Sequence, residues 1–321
     1  GGMDPFHILG RIDMSFKVAA LAGAAMLALV AGSASAADLA CLITKNNTNP
    51  FFVKMKEGAE AAAAAAGLDF QAYAGEKDGD AAPQITAIEN CVAAGAKGIL
   101  ITPSNDSVGP ALKAARAAGI LVIALDTPLA DGEAQDITFA TDNFEAGLRI
   151  GKWAAAKLGA EAANAKIAML DINKDNISVD VARDTGFLVG FGIEVPNLAV
   201  LASETDPRVV GHETTDANPE GGLRAMETLL AKDPDINVVY TINEPAAEGA
   251  YQALKAAGKE GQAIIVSVDG GCPGVASVKS GVIGATSQQY PLLMASKGIE
   301  AIVAYAKDGT KPMVSEGLSF F

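Results

Sequence analysis

The sequence predicts an α/β protein built from two doubly wound parallel-sheet lobes. Three observations carry this expectation. Short β-branched runs alternate with Ala-rich amphipathic stretches, the alternation restarts near residue 137, and polar residues gather at the carboxyl ends of the strand-like runs.

The first round begins with "LACLIT" (39–44), a strand, and "PFFVKMKEGAEAAAAAAG" (50–67), a helix stopped by Gly67. "LDFQAYA" (68–74), "AKGILITP" (96–103) and "ILVIALD" (120–126) are further strands, separated by helices over 80–95 and 107–119. The second round places strands at 137–142, 165–172, 197–204, 236–242, 262–269 and 282–288. Helices are expected over 143–159, 179–192, 221–233, 245–258 and 290–309. Strands joined by helical crossovers form parallel sheets covered on both faces. In such sheets ligands bind beyond the carboxyl ends of the strands. There the sequence places Lys45-Asn46-Asn47, Ser104-Asn105-Asp106, Asp126-Thr127, Asn173 to Asn176, Asn243-Glu244 and Asp269. Each of these, taken singly, also suits helix capping or turn chemistry. Their recurrence at one end of both rounds points to a shared cleft.

The 321-residue chain is long enough for two domains of ordinary size. Residues 1–13 read as a vector-derived leader. Residues 14–36 read as a signal peptide: basic Lys17, an apolar run from Val18 to Val30, and the Ala34-Ser35-Ala36 cleavage signal. That run falls short of the roughly 20 residues that span a bilayer. Losing residues 1–36 removes two basic and two acidic residues, so the net charge stays at −14. An acidic chain lacks the basic footprint that nucleic acid requires, and no nucleic-acid partner is expected.

Cys41, Cys91 and Cys272 form no CxxC pair. The favoured reading makes them buried thiols acting as small hydrophobes. A Cys41–Cys91 bridge, which export permits, is the alternative. Beyond the leader His212 is the sole histidine, so a catalytic triad, a Cys–His dyad or a multi-His metal site would have to use it. It is expected at the surface or near a hinge. No GxGxxG follows a strand, and no GxxxxGK[ST] occurs. "DINKDN" (171–176) starts like a calcium loop but has Asn176 where the turn needs Gly and Ala182 where the loop needs Glu. No catalytic residue, metal or cofactor is expected.

"NTNPFF", "GAKGILITPSN", "VIALD", "RDTGF", "YTINEPAAEGAYQALKAAG", "VSVDGG" and "ATSQQYP" together resemble the type I periplasmic sugar-binding proteins of ABC transporters, within the ribose-binding cluster. The resemblance runs from Leu39 to about Lys311. "INEPAAEGAYQAL", "VSVDGGCPGV" and "ATSQQYPLLMASKG" resemble the fructose-binding branch most. It implies a three-crossing hinge near Thr141-Asp142, Gln289-Tyr290 and residues 312–316. The N-terminal lobe is then 37–141 plus 290–313, and the C-terminal lobe 142–289 plus 314–321. The chain stops at "EGLSFF", short of that family's usual final strand.

The resemblance also implies the site residues. Asn49, Phe51 and Phe52 match the loop where a polar side chain and rings meet the sugar. Asp126, Arg183, Asn243, Asp269 and Gln289 match its acids, arginine and amides, and Lys45 is placed to reach the ligand. The chemistry suits a sugar. Charged groups make strong hydrogen bonds to hydroxyls, amides both donate and accept, and rings cover C–H faces. One of the two phenylalanines is expected to staple the helix start into the core instead. Two departures argue against ribose: Thr127 replaces an Arg, removing up to five donors, and Ala217 replaces a stacking aromatic.

The implied protein is a periplasmic monomer that captures a monosaccharide, fructose or a related sugar, and delivers it to an ABC permease in the inner membrane. A chemoreceptor is a further partner the resemblance allows. A chemotaxis or signalling sensor of the same fold keeps the binding role. The sensor domain of a Lac-repressor-like regulator would need a helix-turn-helix where the signal peptide stands. A sugar-modifying enzyme lacks a nucleophile elbow and a histidine partner.

Overall fold

The computed structural model describes residues 36–313 and 318–320. The expected leader and signal peptide lie, up to residue 35, outside the described residues. Among those described, no helix is long and apolar enough to cross a membrane.

Two all-parallel sheets form. The first contains β1 (Leu39–Thr44), β2 (Asp69–Ala74), β3 (Gly98–Ile101), β4 (Leu121–Leu125), β5 (Ile137–Ala140) and β11 (Leu318–Phe320), in the order β11-β5-β4-β3-β1-β2. The second contains β6 (Ile167–Asp171), β7 (Val209–Thr214), β8 (Val238–Thr241), β9 (Ile264–Asp269) and β10 (Ala285–Gln288), in the order β10-β9-β8-β6-β7. Each sheet reverses its strand order beside its first strand, at β1/β3 and at β6/β8. Ligands of doubly wound sheets bind at such reversals.

Alternating side chains fill both faces of each sheet. In β1, Leu42 faces α1 (Pro50–Ala66) and α9 (Pro291–Asp308), while Ile43 faces α2 (Ala82–Ala93) and α3 (Gly109–Ala117). In β6, Met169 faces α4 (Asn143–Leu158) and α5 (Ser178–Phe191), and Leu170 faces α6 (Pro219–Lys232) and α7 (Glu244–Ala256). This two-sided burial explains why the central strands read as continuous apolar runs. Helices α4 and α5 cross closely: a Cβ on Gly147 would lie 2.1 Å from the Arg183 carbonyl oxygen, and one on Gly186 2.2 Å from that of Phe144. Only glycine permits that approach, and it brings Arg183 beside the start of α4.

The chain passes from the first lobe to the second at 141–142, between β5 and α4, and returns at 289–290, between β10 and α9. The third crossing does not take the expected form. Strand β11 pairs with β5, Leu318 opposite Thr138, so residues 318–320 join the first sheet and not the C-terminal lobe to which 314–321 were assigned.

Two other expectations are corrected. Residues 197–204 are not a strand; the second-sheet edge is β7. The apolar "LAVL" run imitates a strand, but Asn197 folds it into a turn: its Oδ1 accepts from Ala199 N (3.0 Å) and its backbone N–H donates to Ser203 Oγ (3.2 Å). Leu198 is left exposed. Conversely, the polar composition of β7, with Gly211, His212 and Glu213, conceals a half-buried edge strand. The favoured free-thiol reading also fails for one pair: Cys41 in β1 and Cys91 in α2 are disulfide-bonded, both fully buried. Cys272 is free and exposed at the start of α8 (Cys272–Ser280).

Candidate functional site

The carboxyl ends of both sheets face a cavity of about 1150 Å³. Asn49, Phe51, Asp269 and Gln289 of the expected residues line it, with Ala217, Asp78 and Glu244. The opening of α1 fixes two of them. Asn49 is its N-cap and accepts from Phe51 N at 3.0 Å, Pro50 occupies the first turn, and Gly67 ends the helix at φ +70. Phe51 and Phe52 meet edge to face, with centroids 5.2 Å apart. Both rings belong to the first-lobe core, but only Phe51 reaches the cavity, so Phe52 is the staple.

Behind the cavity wall the two lobes meet through charge. Asp126 follows β4 at φ +66, a conformation in which Asp is tolerated better than most residues. Its Oδ2 accepts from Thr127 Oγ1 at 2.8 Å. Its Oδ1 lies 3.5 Å from Arg183 Nη2 of the opposite lobe, and among the described residues neither atom has a hydrogen-bond partner although both are buried. The guanidinium is aimed by two other bonds, Nε to Asn143 Oδ1 (2.7 Å) and Nη1 to the Ile242 carbonyl (3.1 Å).

Asp269 ends β9 at φ +147. Gln289 holds it, donating Nε2 to Asp269 Oδ1 at 2.9 Å while accepting from Thr141 Oγ1 at 3.1 Å. One amide thus links both crossings to an acid of the second lobe. Burial pushes the Asp269 carboxyl up to about 7; Arg183 opposes this and Glu244 adds to it.

The remaining candidates are not at the cavity surface. Lys45 is buried, with Nζ 3.7 Å from Asp78 Oδ1. Asn243 caps α7, accepting from Ala246 N (3.0 Å) and donating to the Ala217 carbonyl (3.1 Å). Its amide therefore holds the wall at Ala217. Sequence reasoning passed over Asp78, in the loop after β2, whose carboxyl burial pushes up despite Lys45. The strand-end rule, applied to β2, would have found it. It also passed over Gln84, fully buried, which donates to the Thr44 (3.2 Å) and Thr102 (2.8 Å) carbonyls and staples the β1/β3 reversal. A glutamine in the first turn of a helix carries no such signal in sequence.

The expected surface or hinge-side position of His212 is corrected as well. It sits in β7, its side chain 15% exposed, against Asp171, Asp184 and Glu204.

Two parallel α/β lobes, connected at 141–142 and 289–290 and turning polar strand ends onto one cavity, define a bilobal solute-binding protein. The comparisons agree. A family model described as periplasmic binding protein domain matches residues 40–311. The ribose import binding protein of Haemophilus influenzae is 35% identical over 285 residues, covering 88% of this chain and 91% of its own. Among solved structures, an ABC transporter solute-binding protein from Agrobacterium vitis with bound D-fucose has a TM-score of 0.73 at 26% identity, covering 86% of this chain and 91% of its own. One from Actinobacillus succinogenes with bound D-allose has a TM-score of 0.75 at 24% identity, covering 88% and 95%, and so speaks to the fold. The chain belongs to the periplasmic binding protein family. These relatives are binding proteins of import systems, not enzymes.

Proposed function

We propose that the protein is a periplasmic, exported solute-binding protein that captures a monosaccharide between its lobes and delivers it to an ABC permease. The observation that carries this reading is the Asp126–Arg183 pair. Two buried, oppositely charged groups from different lobes each keep an atom without a hydrogen bond, 3.5 Å apart. A sugar hydroxyl donates and accepts at once, so it can satisfy both. Phe51 supplies an apolar face in the cavity wall, and Asp269, held by Gln289, supplies a second acid. Asn49 offers its amide, since its oxygen serves the α1 cap. Lys45 acts through Asp78, Phe52 through packing, and Asn243 by holding the wall.

A ketohexose, fructose foremost, is the favoured ligand. Thr127 offers one hydroxyl, already donated to Asp126, in place of a donor fork, and Ala217 leaves the wall without a ring. Both changes leave room for a sugar larger than a pentose. Calorimetric titration of fructose, ribose and D-allose tests this. Fructose binding at least tenfold tighter than ribose is expected; ribose winning by that margin overturns the ligand assignment, and binding of none of the three overturns the sugar reading for these classes.

A further inference from the structure

At the β6/β7 edge of the second sheet, three elements and the segment before β7 converge. Asp171 ends β6, Asp184 lies in α5, His212 lies in β7, and Glu204 precedes β7. His212 Nδ1 is 2.8 Å from Asp171 Oδ2 and 3.5 Å from Asp184 Oδ2, and these three donor atoms lie within 4.8 Å of one another. On the far side of the ring, Nε2 is 2.8 Å from Glu204 Oε1.

The Asp184 side chain is fully buried, and among the described residues neither of its oxygens has a hydrogen-bond donor, its neighbour being the Asp171 carboxyl. Asp171 Oδ1 and Glu204 Oε2 are likewise without one. A buried carboxylate lacking partners is costly unless it is protonated, paired or bound to a metal. Two further groups face the cluster. Asp180 is fully buried, with Oδ2 accepting from Ile172 N at 2.8 Å and Oδ1 unpartnered, and the Tyr240 hydroxyl is buried without a partner. Burial, and then Asp171, push the Asp180 and Asp184 carboxyls well above their usual range. Three carboxyl groups thus meet a single imidazole, with Asp180 beside Asp171.

We propose that Asp171, Asp184 and His212 form a binding site for a divalent transition-metal ion, zinc foremost. An ion about 2.1 Å from each donor requires donor–donor edges of roughly 3.0 to 3.4 Å; the two edges from His212 Nδ1 are 2.8 and 3.5 Å, and the Asp171–Asp184 edge lies within 4.8 Å. One imidazole with two carboxylates is a donor set suited to zinc. Glu204 completes the arrangement by accepting from Nε2–H, which fixes the tautomer that leaves the Nδ1 lone pair for the metal. The ion would tie β6, α5 and β7 together, and α5 also carries Arg183. The competing arrangement uses the same atoms without a metal: an imidazolium clamped between Asp171 and Glu204. Burial opposes that charge, but the two carboxylate bonds prevail and hold His212 at about 11.

The test is zinc binding by protein stripped with chelator and dialysed, read by calorimetry with elemental analysis, on wild type and on Asp184→Asn and His212→Gln. The proposal expects one zinc per chain in wild type, a raised Tm, and affinity at least tenfold weaker in both variants. Asp184→Asn should retain its circular dichroism and its sugar affinity, so a folding defect cannot imitate the result. Absence of stoichiometric zinc in wild type overturns the proposal in favour of the imidazolium clamp. Equal zinc affinity in wild type and Asp184→Asn overturns it by placing the metal elsewhere.

Discussion

Replacing Asp269 with Asn should strengthen the fold at high pH while weakening ligand capture. The carboxyl is held at about 7 in the folded chain, chiefly by burial. In the unfolded chain it titrates near 3.9. Between those values the folded state keeps a proton that the unfolded state has lost, so this group makes stability fall as pH rises from about 4 to about 7. Some three pKa units at 1.36 kcal/mol each give a penalty of up to about 4 kcal/mol above pH 7, absent at pH 4 and below. Asparagine removes the charge, can accept the same Gln289 bond, and tolerates positive φ about as well as aspartate, so backbone strain is conserved. Urea denaturation should therefore show the variant more stable than wild type at pH 8.5 by a few kcal/mol, with the gap closing by pH 4. If the carboxylate also accepts a sugar hydroxyl, its loss should cost about 1.5–3 kcal/mol of binding, roughly 10- to 150-fold in affinity. Equal stability of the two proteins at pH 8.5 would refute the reasoning, since it would mean that no buried charge is being relieved. A stabilised variant with unchanged sugar affinity would remove Asp269 from the site and leave the electrostatic argument standing.

Asp126→Asn preserves a residue suited to φ +66 and removes one charge of the inter-lobe pair; calorimetry should show sugar affinity down by about 1.5–3 kcal/mol with the fold intact. Arg183→Lys, which cannot reach Asn143, Ile242 and Asp126 with one fork, should lose a similar amount, and recovery of wild-type affinity would make the arginine structural. Removing the Cys41–Cys91 bridge by paired serine substitution frees a loop spanning 50 residues, for which chain entropy gives about 4 kcal/mol, read as a lower denaturation midpoint. Saturating sugar should lower the radius of gyration in solution scattering, because only a closed state offers it Asp126 and Arg183 together; unchanged scattering would argue for a rigid pocket.

Most of the fold was legible because its signals are local and redundant. Buried parallel strands must be apolar on both faces, and helices between them announce their ends with Pro50, Gly67 and Gly192. The failures fall where that redundancy ends. Strand β7 has one neighbour and a half-buried surface, so its sequence need not be apolar, whereas "LAVL" imitates a strand that Asn197 turns back. The pairing of β11 with β5 depends on a register between segments far apart in the chain, which no local pattern encodes. The Cys41–Cys91 bridge poses the same difficulty: apolar surroundings suit a thiol and a disulfide alike.

The site was legible as a set of positions more than as a set of roles. A strand that gives way to a helix needs a polar side chain to cap the helix, and a ligand needs a polar side chain at that same edge of the sheet, so both demands select Asn and Asp at the same place. Asn243 and Asp126 illustrate how folding separates them. Asn243 adopts the extended conformation of an N-cap, φ −154, and its amide accepts from Ala246 N and donates to the Ala217 carbonyl, which commits one bond at each end to the fold. Asp126 adopts φ +66 and caps nothing; one oxygen goes to Thr127, while the other stays buried beside Arg183 with no bond. The distinction lies in one backbone dihedral and in a guanidinium fixed by Asn143 and Ile242, contributed by the other lobe. Residue type brings a chemical group to the cleft. The packing of α4 against α5, through Gly147 and Gly186, sets the Arg183 guanidinium against Asn143 and so fixes where its remaining nitrogen points.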